Sequence, residues 1–253
     1  MVDFSKPRPT SYQEATQEID VNEFIKVVKS RRSVRVYDGT KIPEEVVNSC
    51  LDLALLAPNS SNLQPWNFYW VRSQSTKDEI VKACYSQPAA ATAAELIVCV
   101  ARTNTWRENR NKMLELFDTT PGVADSAIHY YKKLVPFVYS LGFLGIFGLL
   151  KKVIFFILGF KGPTIREPTT KSDLINWASK TTCLACENLM LSFRAYSFDT
   201  CPMEGFDSYR VKKILKLPKD SYITMIISAG KRAENGIYGP QVRFDRKNFI
   251  QEV

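Results

Sequence analysis

The sequence is organised around the stretch at residues 57–68, APNSSNLQPWNF. A helical pattern that opens at Pro43 stops before this stretch, and an aromatic run predicted as a strand at 67–72 follows it. Amides and hydroxyls between two prolines favour a rigid, hydrogen-bonding loop. Together with Trp66, this loop suits a flat heterocycle or a contact between subunits, and an ordinary turn is the alternative.

A second motif, RRSVR at residues 31–35, lies at the end of a helix predicted to begin at Asp20 with a capping box to Glu23. Guanidinium groups and a hydroxyl this close together can hold a phosphate through charge-assisted hydrogen bonds. Basic clusters also suit the dipole at any helix C-terminus, so the motif alone leaves both interpretations open. The phosphate candidates are Arg31, Arg32, Ser33 and Arg35.

A third motif, PMEGFD at residues 202–207, is predicted to link a long helix at 173–196 to a short helix capped by Asp207 or Ser208. Gly205 permits a close approach of the backbone to a ligand. Backbone amides before a helix N-terminus favour an electron-rich atom. Arg243 is a further candidate for binding an anion, and a plain surface arginine is its alternative.

The remaining pattern mixes helices and strands without a repeat or a domain linker. We therefore expect one domain, 1–253, with an extended arm at 1–19 and one apolar, basic helical insertion at about 118–170. Helices are predicted at 21–31, 43–57, 75–86, 106–117, 173–196 and 207–217, and strands at 67–72, 96–101 and 222–228.

The composition of the 253 residues excludes several classes of protein. With 45% hydrophobic and 24% charged residues, the chain is neither disordered nor a disulfide-dense mini-protein. A single histidine, His129, excludes a multi-histidine metal site, and we predict no metal. The absence of an apparent signal peptide predicts a cytoplasmic protein with free thiols. Cys183 and Cys186, although spaced as CxxC, are interpreted as core packing of a helix.

The net charge of +8 is concentrated in residues 131–171, which hold seven basic side chains and a single acid, Glu167. The same segment contains the apolar run 134–160. Nucleic-acid binding would need basic residues spread among exposed aromatics, so we predict no nucleic-acid partner. Three interpretations stay open: a lid or dimer-flanking helical pair, an element lying on an anionic membrane surface, and a true span, which the 17 uncharged residues 134–150 barely permit.

Taken in order, RRSVR, APNSSNLQPWNF, PMEGFD and a late arginine resemble the FMN-dependent nitroreductase family over about 20–105 and 173–250. The resemblance implies an α+β protein with a three-layer α/β/α fold, in which helices wrap a mainly antiparallel sheet. It also implies a domain-entwined homodimer with two flavins at the interface. The helix from Asp173 would lie at the dimer centre, and a C-terminal arm would cross to the partner.

The resemblance also implies a site. RRSVR would hold the FMN phosphate and ribityl chain, with Arg243 at the phosphate. The 58–62 loop would reach the flavin bound mainly by the other subunit, and a main-chain N–H at 203–205 would lie near flavin N5. Two departures are Asn59, where serine is usual, and Gln241, where lysine often stands. The implied cofactor-binding residues are Arg31, Arg32, Ser33, Arg35, Pro58, Asn59, Ser60, Asn62, Gln87, Pro202, Met203, Glu204, Gly205 and Arg243.

The implied activity is an FMN-dependent oxidoreductase that uses NADPH or NADH to reduce nitroaromatics, quinones or a related electron-poor acceptor by a ping-pong mechanism. No catalytic side chain is expected, because the flavin carries the chemistry. The alternatives are a flavin reductive dehalogenase or dehydrogenase of the same fold, and a flavin-binding, membrane-associated module without turnover.

Overall fold

The computed structural model describes residues 14–253, so most of the predicted arm at 1–19 lies outside the described residues. The described elements follow one another as α1 (Val21–Ser30), α2 (Glu44–Leu55), β1 (Trp66–Trp70), α3 (Gln74–Ala83), α4 (Pro88–Ala91), β2 (Glu95–Arg102), α5 (Trp106–Thr119), α6 (Asp125–His129), α7 (Val135–Tyr139), α8 (Ile146–Gly159), α9 (Lys171–Ala195), β3 (Asp199–Met203), α10 (Ser208–Ile214) and β4 (Ser221–Gly230).

The four strands form one antiparallel sheet in the order β1-β2-β4-β3. A bulge between Cys99 and Val100 shifts the register of β2 against β4. On the outer side of β3, a single parallel bridge between Ser33 and Thr200 lays the RRSVR segment along the sheet edge. The predicted antiparallel sheet is therefore confirmed, and one sequence motif extends it.

Alternating residues of β2 divide the core into two layers. Val98 and Val100 face a cluster with α3, α4 and α10, whereas Ile97 and Cys99 face a cluster with α2 and α9. This alternation follows from the two-residue period of a strand whose two faces are both covered. The predicted three-layer α/β/α fold is confirmed.

Helix caps agree with the sequence in part. Asp20 accepts hydrogen bonds from the N–H groups of Asn22 and Glu23, but the Glu23 side chain pairs with Lys26, so only half of the predicted capping box forms. Ser73 rather than Ser75 caps α3. The long helix α9 begins two residues earlier than predicted, at a full capping box between Thr170 and Asp173.

Two predictions need correction. Asp199–Met203 form strand β3, where the sequence predicted only a link between two helices. Pro202 lacks the N–H that a ladder needs, and it is tolerated because β3 lies at the sheet edge. Of the two cysteines interpreted as core, Cys186 is buried but Cys183 is exposed, since helical spacing turns it to another face of α9. All six cysteines are free.

The insertion has two halves that differ in packing. Helix α6 leads into a π-helical turn and α7, and these last two pack against Leu63, Trp106 and Leu174. The chain then bends by 70° into the half that carries α8. Among residues 14–253 no single helix is long and apolar enough to span a membrane, and only this bent pair meets the criteria of length and composition.

Candidate functional site

The RRSVR segment is fixed to the sheet edge by its backbone. The N–H of Val34 donates to the carbonyl of Thr200 at 3.1 Å, and the N–H of Arg35 donates to the carbonyl of Gly236 at 2.7 Å. Arg32 turns away from the other two arginines and donates to the carbonyl of Gly239 at 2.5 Å. The backbone thus presents Arg31 and Arg35 together on the β3 side.

Arg31 and Arg35 form a centre of positive charge beside Cys201. The Nη1 of Arg35 lies 3.3 Å from the Cys201 Sγ, and the Nε of Arg31 lies 3.9 Å from the Glu187 Oε1. Burial raises the pKa of the Cys201 thiol, although the charges of Arg35 and Arg31 oppose the rise. Within residues 14–253, Arg35 has no carboxylate partner. The positive charge of Arg35 therefore has no ionic partner among these residues, and a phosphate is the kind of group that could neutralise it.

The PMEGFD turn is fixed from the α3–α4 side. The Gln87 Nε2 donates to the carbonyl of Gly205 at 3.0 Å, and the N–H of Asp207 donates to the carbonyl of Ala83 at 2.8 Å. A Cβ placed on Gly205 would meet nothing within 4 Å, so open space lies in front of this residue. The arginine pair and an open backbone turn at the end of β3 fit a cofactor that carries a phosphate at one end and a flat ring at the other.

Helix α9 brings two residues to this region that sequence reasoning missed. Glu187 faces Arg31, and Cys183 lies one helical turn earlier. Burial raises the pKa of Cys183, and the nearby charges of Cys186 and Glu204 add to the rise. Only their spacing of four residues, which puts Cys183 and Glu187 on one face, could have indicated them.

The 58–65 loop has the rigid, hydrogen-bonded form predicted for it. The Asn59 Oδ1 accepts a bond of 2.8 Å from the N–H of Gln64, and the Asn59 Nδ2 donates to the Asn62 Oδ1 at 3.3 Å. Three residues without a glycine's freedom have positive φ: Ser61 at 58°, Asn62 at 44° and Gln64 at 43°. Such strain persists only where surrounding contacts hold it, and it concentrates at functional sites.

Tyrosines of the insertion hold this loop, which the sequence did not indicate. The Tyr130 hydroxyl lies 2.6 Å from the Ser61 Oγ, and the Tyr131 hydroxyl donates to the carbonyl of Ser61 at 2.7 Å. The Tyr139 hydroxyl lies 3.2 Å from the Ser60 Oγ. The first half of the insertion is therefore part of the support of this loop.

The structure brings only part of the predicted set together within one chain. RRSVR lies along β3 and Gln87 contacts the turn that follows this strand, whereas the loop residues 58–60 line a groove of about 760 Å³ together with Cys183 and Leu184 of α9. The Arg243 Nη1 donates to the neighbouring carbonyl of Val242 at 2.7 Å, and no hydrogen bond or ion pair within residues 14–253 links Arg243 to Arg31 or Arg35.

Two further clefts lie elsewhere on the described surface. A cleft of about 670 Å³ lies under the insertion, between Leu144 and Leu149 on one side and Arg107 and Asp220 on the other. A second cleft, of about 500 Å³, is bordered by basic residues of α1, α9 and the end of β4. Within residues 14–253 there is no group of three histidine, cysteine or acidic side chains placed to hold a metal.

The sequence is similar to known proteins of one family. The model of the nitroreductase family matches residues 28–231. YdgI of Bacillus subtilis, whose name assigns it to the NAD(P)H nitroreductases, is 28% identical over 222 residues, which are 86% of this chain and 92% of YdgI. The 4-nitrobenzoate reductase of Pseudomonas putida is also 28% identical over 222 residues, with 85% and 87% of the two chains covered.

A solved structure agrees in fold. A nitroreductase-fold protein from Exiguobacterium sibiricum, crystallised in complex with FMN, has a TM-score of 0.63 and 25% identity, covering 97% of this chain and 100% of its own. The family match spans the sheet edge, the Gln87–Gly205 contact and the tyrosine-supported loop. This chain therefore belongs to the nitroreductase family of FMN-dependent NAD(P)H oxidoreductases.

Proposed function

We propose that the protein uses NADPH or NADH to reduce small electron-poor aromatics or quinones, with nitroaromatics as the first class to test. The proposal rests on one observation: Arg31 and Arg35 lie beside β3, and the open turn at Gly205 directly follows the end of the same strand. The nitroaromatic class is also supported by the similarity to the 4-nitrobenzoate reductase of Pseudomonas putida.

In this proposal the chain binds and orients, while FMN, when bound, supplies the transfer of two electrons from NAD(P)H to the acceptor. Arg31, Ser33 and Arg35 hold the phosphate and ribityl chain. The N–H groups of Glu204 and Gly205 offer a donor to the ring, with their turn held by Gln87. Donor and acceptor bind in turn at the same place, which predicts ping-pong kinetics. The remaining site residues proposed from the sequence are Arg32, Pro58, Asn59, Ser60, Asn62, Pro202, Met203 and Arg243.

We further propose that the single domain works as an entwined homodimer, so that the partner's 58–62 loop completes each site. Helix α1 supports this proposal, because it buries no residue and exposes the apolar side chains of Val21, Phe24, Ile25 and Val28. Exposed apolar faces of this size mark interaction surfaces. The six free thiols support a cytoplasmic location, where thiols stay reduced.

The test is the visible spectrum of the purified full-length protein, followed by anaerobic addition of NADPH or NADH. A flavin spectrum that bleaches, and that recovers when nitrobenzoate or a benzoquinone is added, is expected. When initial rates are measured against NAD(P)H concentration at several fixed acceptor concentrations, the double-reciprocal lines should be parallel. A protein that bleaches but returns electrons to neither acceptor class would overturn the substrate proposal, and bound flavin that does not bleach would indicate a binding module without turnover.

A further inference from the structure

Helix α8 and the turn before it carry a continuous apolar stripe on the outside of the protein. The stripe residues recur with the spacing of one helix face, and each is between 51% and 84% exposed. We call this surface the α8 stripe; its members are Phe143, Leu144, Ile146, Leu149, Leu150, Val153, Phe156, Ile157 and Phe160.

Helix α8 exposes apolar side chains and buries a charged one, which is the opposite of a helix on the surface of a water-soluble domain. Its inner face buries Gly148, Phe155 and the charged Lys151, whereas its outer face is apolar. The Lys151 Nζ donates to the carbonyls of Val138 at 2.6 Å and Pro168 at 2.9 Å. These bonds fasten the inner face to α7 and to the segment before α9, so the stripe is held outward.

Basic side chains border the stripe: Lys152 lies on α8, Lys161 directly follows Phe160, and Arg166 lies against Gly159 at the end of α8. The segment 131–171 has the single acid Glu167, and its lysines and arginine other than Lys151 are exposed. An apolar stripe in a basic border is complementary to the surface of an anionic bilayer, where acyl chains lie next to acidic headgroups. The exposed members of this border are Lys152, Lys161, Arg166 and Lys171, and Lys171 lines a cleft together with Leu144 and Leu149.

The geometry favours a helix lying in the interface over one that crosses the bilayer. Helix α8 has 14 residues, a length of about 21 Å at 1.5 Å per residue, shorter than the roughly 30 Å of a hydrocarbon core. The 70° bend before α8 prevents α7 from extending it in a straight line. The first half of the insertion is engaged by the tyrosine contacts to Ser60 and Ser61, so the second half is the part free to dock.

We infer that the α8 stripe docks the protein on an anionic membrane surface, with Phe143, Leu144 and Phe156 entering the acyl boundary and the basic border contacting acidic headgroups. The cleft of about 670 Å³ opens beside the stripe, since Leu144, Leu149 and Lys152 line its mouth. This inference does not depend on the identity of the electron acceptor.

The test is flotation of the FMN-loaded full-length protein with vesicles of phosphatidylcholine alone or with 30 mol% phosphatidylglycerol. We expect binding to the anionic vesicles that weakens with salt, as attraction to charged lipid requires. The triple variant Phe143→Ser, Leu144→Ser, Phe156→Ser should reduce the partition coefficient by about tenfold or more, because three apolar side chains lose their burial. Lys152→Glu with Lys161→Glu should reduce binding to the anionic vesicles only.

Matched controls are Leu116→Ser, an exposed apolar residue outside the stripe, and Lys213→Glu, an exposed lysine on α10. Both should bind vesicles as the wild type does. Because the altered side chains are exposed, flavin content and melting temperature should be unchanged in every variant. No binding of the wild type to anionic vesicles would overturn the inference. So would a triple variant that binds equally well, or a triple variant whose mass by light scattering falls to half, which would make the stripe a contact between copies.

Discussion

The side-chain amide of Gln87 donates a hydrogen bond of 3.0 Å to the carbonyl oxygen of Gly205, joining residues 118 positions apart in sequence. Gln87 stands directly before Pro88, which opens the short helix α4. The bond orients the peptide after Gly205 and leaves the space in front of its Cα open. Gln87 thereby acts as a positioning residue for the turn proposed to meet the flavin ring.

Replacing Gln87 by leucine should weaken FMN binding while leaving the fold intact. A net hydrogen bond contributes about 1 kcal/mol, so we expect the Kd for FMN to rise by about fivefold in a fluorescence titration. The control is Gln74→Leu, which removes an exposed amide bonded to Asp78. An unchanged Kd in Gln87→Leu would show that the turn holds its shape without this contact.

Replacing Arg35 by methionine should weaken FMN binding more strongly. The guanidinium lies beside Cys201 and has no carboxylate partner within residues 14–253, so its charge is available to the phosphate. Loss of a charged hydrogen bond costs about 1.5–3 kcal/mol, which is roughly 10- to 150-fold in Kd. The salt dependence of FMN binding should also become shallower. Arg72→Met, which breaks an exposed pair with Glu44, should change neither quantity.

The contact between Ser61 and Tyr130 should stabilise the strained loop measurably. In a double-mutant cycle with Ser61→Ala and Tyr130→Phe, we expect a coupling free energy of about 1 kcal/mol in urea unfolding. The hydroxyl pair Ser49 and Tyr196, 2.9 Å apart and exposed, is the matched control and should couple less. Equal coupling in the two cycles would mean that the contact between Tyr130 and Ser61 stabilises the loop no more than an exposed hydroxyl pair stabilises its surroundings.

Asp199 should be among the residues most sensitive to substitution. It is 3% exposed and accepts hydrogen bonds from Arg194 at 2.9 Å and from two nitrogens of Arg232 at 2.6 and 2.7 Å. Asp199→Asn weakens these charged hydrogen bonds but leaves two arginines whose side chains are 20% and 35% exposed, so it should lower the free energy of unfolding by about 1.5–3 kcal/mol. Asp245→Asn, at an exposed pair with Lys247, should change it by less than about 1 kcal/mol.

Lys151 should make stability depend on pH in an unusual direction. Burial lowers its pKa to about 8, against an ordinary value of 10.5. Between these values the unfolded chain holds a proton that the folded chain has released, so this residue's contribution to stability rises with pH from about 8 to 10.5. The neutral amine retains two N–H donors for the carbonyls of Val138 and Pro168.

The measurement is a comparison of wild type with Lys151→Met across that pH range. Buried Tyr131 and Cys84, whose pKa values are raised to about 12 and about 11, act in the opposite direction in both proteins, so the difference between the proteins isolates Lys151. We expect the wild type to gain up to about 3 kcal/mol relative to the variant between pH 7.5 and 10.5. Parallel stability curves would show that the lysine is hydrated in solution.

The sequence by itself determined the family, the sheet and most helices. The reason is that those features depend on local pattern: the continuous apolar run of β2, the capping side chains of Asp20 and Asp207, and motifs whose residues are adjacent in the chain. RRSVR and PMEGFD could be recognised because each carries its chemistry within five or six consecutive residues. The same local logic failed at β3, where the sequence predicted only a link between helices and where the position at the sheet edge lets Pro202 stand in a strand.

Only the tertiary structure decided what distant residues do to one another. Gln87 meets Gly205, Glu187 meets Arg31, and Tyr130 meets Ser61 because the fold brings separate segments together, and no spacing along the chain records such contacts. The insertion shows this most clearly. Its sequence is uniformly apolar and basic, yet packing turns Lys151 inward and leaves Phe156 in solvent, because burial depends on which face of α8 meets the rest of the protein.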